Sequence, residues 1–589
     1  MDCRERILSN DYRDIITDYP IRLDPGEGLD ICYVNVGNAY NLVYINRIGL
    51  PPLMETLYEY QNTPKLYGLM QITGGNADGG NAAGNLRQGA NQGSAEVFDP
   101  GSLVASGIAQ VQRPPLSLTG RGVAVCFIDT GIDYTDPVFR DENGNSRIMA
   151  IWDQTIQDGQ PPQGILYGTE YRTEDINRAL QSPDPYSIVP SRDENGHGTA
   201  MASVAVGSSL DGGRSFLGAA PDADILVVKL KECKQYLRDY YLVPEGVPAY
   251  QENDIMMAVS YADHFFQILR RPVVICLGIG TNMGDHDGNS ALSGYLTLVA
   301  VKRSRAVVVC GGNEGNASHH FEGMLPIAGP SDNYRDVEVR VGDDNRGFLL
   351  EFWGNVPDIF NVTIRSPGGE TIPPVRLGIR QAITYGFIYE RTRVTISSIV
   401  VEPSSGEELI LFRFQEPTPG IWNFRITAVG EVNNGIFHMW LPIREFQSSE
   451  SYFLEPNPYV TLTEPAMASS VISVSTYNDV NNSFYIESGR GFSRTGKVRP
   501  VFAAPGVNVS TVFGKQTGSS LAAAIAAGGV AQFMQWAVVE GNSELMESTE
   551  VKAYFIRGAS RSPDLVYPNR EWGYGRLNVM GTFDALAGV

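Results

Sequence analysis

Four short stretches carry side chains whose types, taken together, could do chemistry. "TGSSLAAAIAAG" (517–528) sets Ser519 and Ser520 after a glycine and ahead of small helix formers. A capping role explains a single serine there, because a Ser hydroxyl satisfies the free N–H groups of a first helical turn. "ENGHGTAMAS" opens a helical stretch with His197, alone among the six histidines in so glycine-bounded a frame. "FIDTGID" ends an apolar run on Asp129, and "VVVCGGNEGN" places Asn313 after an apolar run and two glycines. Alone, each has an ordinary explanation as a cap or a turn residue. Jointly they supply acyl transfer: a hydroxyl nucleophile, an imidazole to take its proton, a carboxylate to hold the imidazole tautomer, and an amide donor for the developing oxyanion.

The surrounding elements predict how these residues are held. From about residue 100, "GVAVCFIDTG", "ADILVVKL", "PVVICLGIG", "RAVVVCGGN" and "SSVISVSTYN" are continuous apolar runs, the signature of parallel strands buried on both faces. Helical stretches such as "GTAMASVAVG" and "DIMMAVSYADHFFQIL" alternate with them, which predicts a doubly wound α/β domain with its site at the strand C-termini. Between 333 and 455 the alternation gives way to short strands separated by Gly, Pro and Asn turns, predicting an antiparallel β-sandwich or jelly roll inserted between two α/β parts, 100–332 and 456–589. Residues 1–71 form a small α+β unit with a helix near "LPPLMETLYEYQ". A Gly/Asn-rich flexible linker spans 72–99, with its run "GGNADGGNAAGNLRQGANQGS" at 74–94.

Composition narrows the function classes. A net charge of -21 argues against a general nucleic-acid binder, which needs a basic face. With 43% hydrophobic residues the chain can bury large cores. The stretch 521–539 is the most membrane-like, but its paired glycines, Gln532 and Gln535 fit a buried core helix, so no membrane partner is expected. The N-terminus lacks the apolar core of a secretory signal, which predicts synthesis in the cytoplasm. Cys126, Cys276 and Cys310 lie inside apolar runs, and the six cysteines are expected to be reduced. No CxxC pair or calcium-ligand spacing is evident, so neither metal nor other cofactor is predicted.

With these residues in view, the chain resembles the subtilisin-like serine proteases, which carry their triad in the order Asp, His, Ser. The likeness rests on "DTGID" (129–133), "HGTAMAS" (197–203), "GGNEG" (311–315), "GSSLAAA" (518–524) and the closing "WGYGRLNV" (572–579). It implies Asp129 as orienting carboxylate, His197 as general base and acid, and Ser520 as nucleophile, with Ser519 in the Thr-like position beside it. Asn313 and the Ser520 N–H would form the oxyanion hole. Leu277, Gly278 and Gly280 would belong to the edge strand that pairs with substrate, and Gly311 and Gly312 to the opposite wall of the specificity pocket. Two positions depart from the family pattern: Ala524 stands where proline is usual, and Asp136 where histidine is frequent.

The whole arrangement is similar to the Csp proteases of spore-forming clostridia. That resemblance implies an N-terminal prodomain that remains bound after self-cleavage. It also implies activation of a zymogen cortex-lytic enzyme in spore germination, and packaging into the spore, with release outside the cell left open. The segment "PKLYGLMQITGG" is apolar and strand-compatible, and the cut is expected after Gln71, with Met70 the rival. Three alternatives stand beside an active endopeptidase acting on protein or peptide substrates. One is a non-catalytic or prodomain-inhibited regulatory protein, another a general subtilase with a different protein substrate. A lipase or esterase would need a G-x-S-x-G elbow, which Ser520 lacks.

Overall fold

The computed structural model describes residues 2–18, 30–46, 62–74, 99–209, 216–327, 333–374 and 381–588. The helix expected near residues 50–61 and all but the ends of the expected linker lie outside these residues.

Apolar runs that have no polar face can form only strands covered on both sides. Six such strands lie side by side and parallel in the order Ile472–Asn478, Arg305–Cys310, Val273–Leu277, Ala124–Asp129, Asp224–Lys229 and Ile148–Asp153. Antiparallel Thr169–Arg172 and Ser483–Phe484 close the edges, and Phe502–Pro505 adds a further parallel pairing. Side chains alternate between two cores. Val125 and Phe127 face the helices His197–Val206 and Ser519–Met534; Ala124, Cys126 and Ile128 face Glu252–Leu269 and Ala291–Ala300. The fold is thus the α/β architecture expected.

Helix Ser519–Met534 is buried along its whole length. A Cβ at Gly528 would lie 2.3 Å from the Ala219 Cβ, so glycine is what allows this close approach. Gln535, just beyond, accepts from the N–H groups of Thr119, Gly120 and Arg121 at 2.8–3.2 Å, steadying the turn that feeds strand Ala124–Asp129.

Two antiparallel sheets of six and five strands enclose a core rich in Phe and Trp, including Phe352, Phe412, Trp422 and Phe424. The six-stranded sheet also takes in His320–Met324, ahead of residue 333, through pairing with Ile436–Trp440. On its second face Leu349, Trp353, Leu409 and Leu411 join the main core. This is why strand Gly347–Gly354 is buried at every position rather than at alternate ones.

The N-terminal region forms helix Cys3–Leu8 and an antiparallel sheet with Tyr40–Asn46 between Tyr12–Asp18 and Ile31–Val36. Cys3 and Cys32 are joined by a disulfide, which corrects the expectation that every cysteine is reduced. Their Cα atoms, 5.6 Å apart, lie where helix and strand meet, a juxtaposition that spacing in sequence does not reveal. Cys126, Cys233, Cys276 and Cys310 are free and buried. The sheet lies on the second helical face, with Ile16, Leu42 and Tyr44 packed among Ile255 and Met257.

A buried polar knot fastens this contact. Lys234 Nζ pairs with Asp14 Oδ1, while Gln251 and Asn253 donate to Asp14 Oδ2 at 2.7 and 3.1 Å. Burial pushes the Lys234 ammonium below its usual range, and Asp14 beside it pulls the other way. Asp14→Ala therefore strands a buried charge and is expected to cost about 3–5 kcal/mol at this interface. An apolar replacement of both partners, Asp14→Leu with Lys234→Met, is expected to cost much less. Denaturant melts and limited proteolysis of the N-terminal region read the difference.

Candidate active site

Parallel pairing brings three strand ends to one row. Leu277 pairs with Ile128 on one side and Val309 on the other, so Asp129, Gly278 and the Cys310–Asn313 turn emerge side by side. His197 arrives on the first turn of its helix. Asp193 fixes that turn by accepting from Gly196 N, Thr199 N and Thr199 Oγ1 at 2.6–2.9 Å. Gly196, at φ 91, supplies the left-handed entry, and Gly198 N–H donates to Thr130 Oγ1. A Cβ on Gly198 would lie 2.2 Å from Gly131 O, so the helix can reach Asp129 only with glycine there.

The result is a contiguous chain of contacts. His197 Nδ1 lies 2.8 Å from Asp129 Oδ1, and His197 Nε2 lies 3.0 Å from Ser520 Oγ. Asp129 Oδ1 also accepts from Thr130 N, whereas the buried Oδ2 makes no hydrogen bond among the described residues. All three side chains are almost wholly buried. Burial alone pushes the imidazole toward its neutral form. The charge and hydrogen bond of Asp129, with the Met70 carbonyl, outweigh it and hold the His197 pKa above its ordinary 6.5. With Nδ1–H donating to Asp129, Nε2 is free to accept the Ser520 proton.

The N-terminal segment runs through this site. Strand Leu66–Leu69 lies between Tyr250–Gln251 and Ile279–Gly280, antiparallel to both, and Met70 N–H donates to Gly278 O at 3.0 Å. Met70 O then accepts from Ser520 Oγ at 2.9 Å, with His197 Nε2 at 3.1 Å. One residue on, Gln71 O accepts from Asn313 Nδ2 at 3.0 Å. Asn313 Oδ1 accepts from Ser519 N–H, which fixes the side of the amide that faces Gln71. Beyond the site, Thr73–Gly74 pairs with Gly514–Thr517.

Of the residues singled out from sequence, Asp129, His197, Asn313, Ser519, Ser520, Gly278, Gly280, Met70 and Gln71 therefore converge. Leu277 belongs to the central sheet. Gly311 and Gly312 lie against Leu462 and Thr463, where a Cβ would come within 2.7 and 2.6 Å of their side chains. Asp136 caps the short helix Pro137–Phe139, and Ala524 is buried in its helix.

Sequence reasoning missed two carboxylates. Asp193, fully buried, could have been suspected from its place four residues ahead of His197. Glu314, next to Asn313, accepts from His319 Nδ1, Asn282 Nδ2 and Arg444 N at 2.5–3.2 Å. His319 is five residues away, but Asn282 and Arg444 come from distant segments, so the cluster is not evident from local sequence.

Comparison with known proteins assigns the family and the fold. The subtilase family model matches residues 120–334 and 434–575, more than half of the chain, and leaves out most of the two antiparallel sheets. Among solved structures, the Clostridium perfringens CspB protease superposes with a TM-score of 0.73 at 29% identity, over 82% of this chain and 97% of that one. The serine protease MycP1, a component of the type VII (ESX-1) secretion system, is 12% identical with a TM-score of 0.35, over 88% of this chain and 93% of its own. No curated protein sequence matches. The chain belongs to the subtilase family and is a serine endopeptidase.

Proposed function

We propose that Asp129, His197 and Ser520 form the catalytic triad and that the enzyme's first substrate is its own chain, cut between Gln71 and Ile72. The observation that carries this reading is the Gln71 carbonyl, hydrogen-bonded to the Asn313 amide beside the Ser520–His197 pair. Ser520 Oγ attacks the Gln71 carbonyl carbon as its proton passes to His197 Nε2. The negative charge that develops on Gln71 O is met by Asn313 Nδ2. His197 then returns the proton to the Ile72 nitrogen as the bond breaks, and water, activated by the same imidazole, hydrolyses the acyl-enzyme. Met70 is the weaker alternative, because its carbonyl oxygen faces the nucleophile itself rather than an oxyanion donor.

On this reading residues 1–71 are a prodomain. The strand pairing on both sides of Leu66–Leu69 and the Asp14–Lys234 knot support its remaining bound after the cut, where it lowers activity toward large substrates. The likeness to the CspB protease over most of both chains supports a zymogen cortex-lytic enzyme of germinating spores as the external substrate.

Intact-mass analysis tests self-processing: wild type is expected as two fragments split after Gln71, and Ser520→Ala as one full-length chain. A cut that persists in Ser520→Ala refutes it. With peptide substrates, Asn313→Ala is expected to lower turnover by about 10²–10³-fold and Asp129→Asn by about 10⁴-fold. The base must be neutral to accept a proton, and its pKa stands above 6.5, so activity is lost on acidification through that raised value. The acid limb of the pH–rate profile is expected to have its midpoint above 6.5; one below it contradicts the assignment of His197 as base.

A further inference from the structure

Gly68 sits in the middle of strand Leu66–Leu69, and its backbone gives no reason for a glycine. Its φ is not in the left-handed region, whereas among the described residues twenty-five other glycines are. Glycine in a strand interior loses conformational entropy and packing, and often marks a close approach of another group. Here that group is a side chain: a Cβ on Gly68 would meet Ile443 Cδ1 at 2.6 Å and Phe446 Cε1 at 3.3 Å.

Both neighbours are enclosed. Ile443 and Phe446 are 0% and 1% exposed and belong to the main core. The turn that carries them is pinned from within by Phe446 N–H donating to Ile443 O at 2.9 Å. It is pinned from the site by Arg444 N–H donating to Glu314. On the same face of the strand, two residues to either side, Leu66 and Met70 are buried in that core. The cleft therefore accepts large apolar side chains at positions 66 and 70 and none at position 68 between them.

We propose that Ile443 and Phe446 are specificity-determining residues, closing the pocket opposite position 68 so that this enzyme cuts peptides carrying glycine there, the third residue ahead of the one whose carbonyl accepts from Asn313. The proposal rests on the reading that residues 66–71 lie in the cleft as substrate. It predicts a recognition pattern of apolar residues at positions 66, 67, 69 and 70 around a glycine at 68, since Tyr67 and Leu69 are buried in the core on the other face, followed by the residue at the cut.

The test follows self-processing of the full-length chain by intact mass over time, with Gly68→Ala and Gly68→Leu, each with and without Ile443→Ala. Gly68→Ala is expected to slow the cut several-fold and Gly68→Leu by about ten- to a hundredfold, the range overpacking of a filled core produces. Ile443→Ala is expected to restore most of the rate to either variant. Cutting of Gly68→Leu at the wild-type rate, or a loss that Ile443→Ala does not relieve, overturns the proposal. Where Gly68→Leu fails to fold, Gly68→Ala carries the comparison. If the wild-type chain is not cut at all, self-processing falls alone, and the closed pocket is judged by thermal melting in a Ser520→Ala background. A Tm loss from Gly68→Ala that Ile443→Ala relieves sustains it, and strictly additive losses end it.

Discussion

The site depends on one register. Strands Ala124–Asp129, Val273–Leu277 and Arg305–Cys310 are parallel neighbours, and Leu277 pairs with both Ile128 and Val309. Each chain leaves the sheet at the same level and turns toward the same edge. Asp129 is the last residue of its strand, Gly278 begins the stretch that binds the N-terminal segment, and Gly311–Asn313 turns the Asn313 amide toward Gln71. A slip of one residue in any strand would turn its side chains to the other face and separate the three groups. The cores on both faces guard against that slip, since alternate residues of the same strands are committed to different helical layers.

Much of this was legible because the signals are local. A continuous apolar run ending in Asp-Thr-Gly reads as a buried strand with a reactive residue at its end, and the structure has that strand at Ala124–Asp129. The same holds for His197 and Ser520, each at a helix start. What stayed hidden is the product of tertiary contact. Strand Tyr12–Asp18 lies in a stretch with little apolar alternation and is stabilised by pairing with Tyr40–Asn46. Cys3 and Cys32 meet only because helix Cys3–Leu8 packs beside strand Ile31–Val36.

The antiparallel sheets are more than an appendage. Their exit segment supplies the turn Arg444–Phe446, whose backbone N–H holds Glu314, and Glu314 in turn adjoins Asn313. Asn282, next to the edge strand Ile279–Gly280, donates to that same carboxylate. A disturbance of the sheets thus has a short covalent and hydrogen-bonded route to Asn313. The turn that makes this tie lies within the matched residues 434–575, just past the unmatched stretch 335–433.

Strand Leu66–Leu69 is hydrogen-bonded along both of its edges, by Tyr250–Gln251 and by Ile279–Gly280. Whatever takes its place must offer two free edges at once. A strand already zipped into a sheet, even at the border, has one edge committed and cannot enter. On the proposed reading, a protein substrate reaches these two edges as an extended segment that stands apart from folded structure, and the folded bodies that flank it are spared.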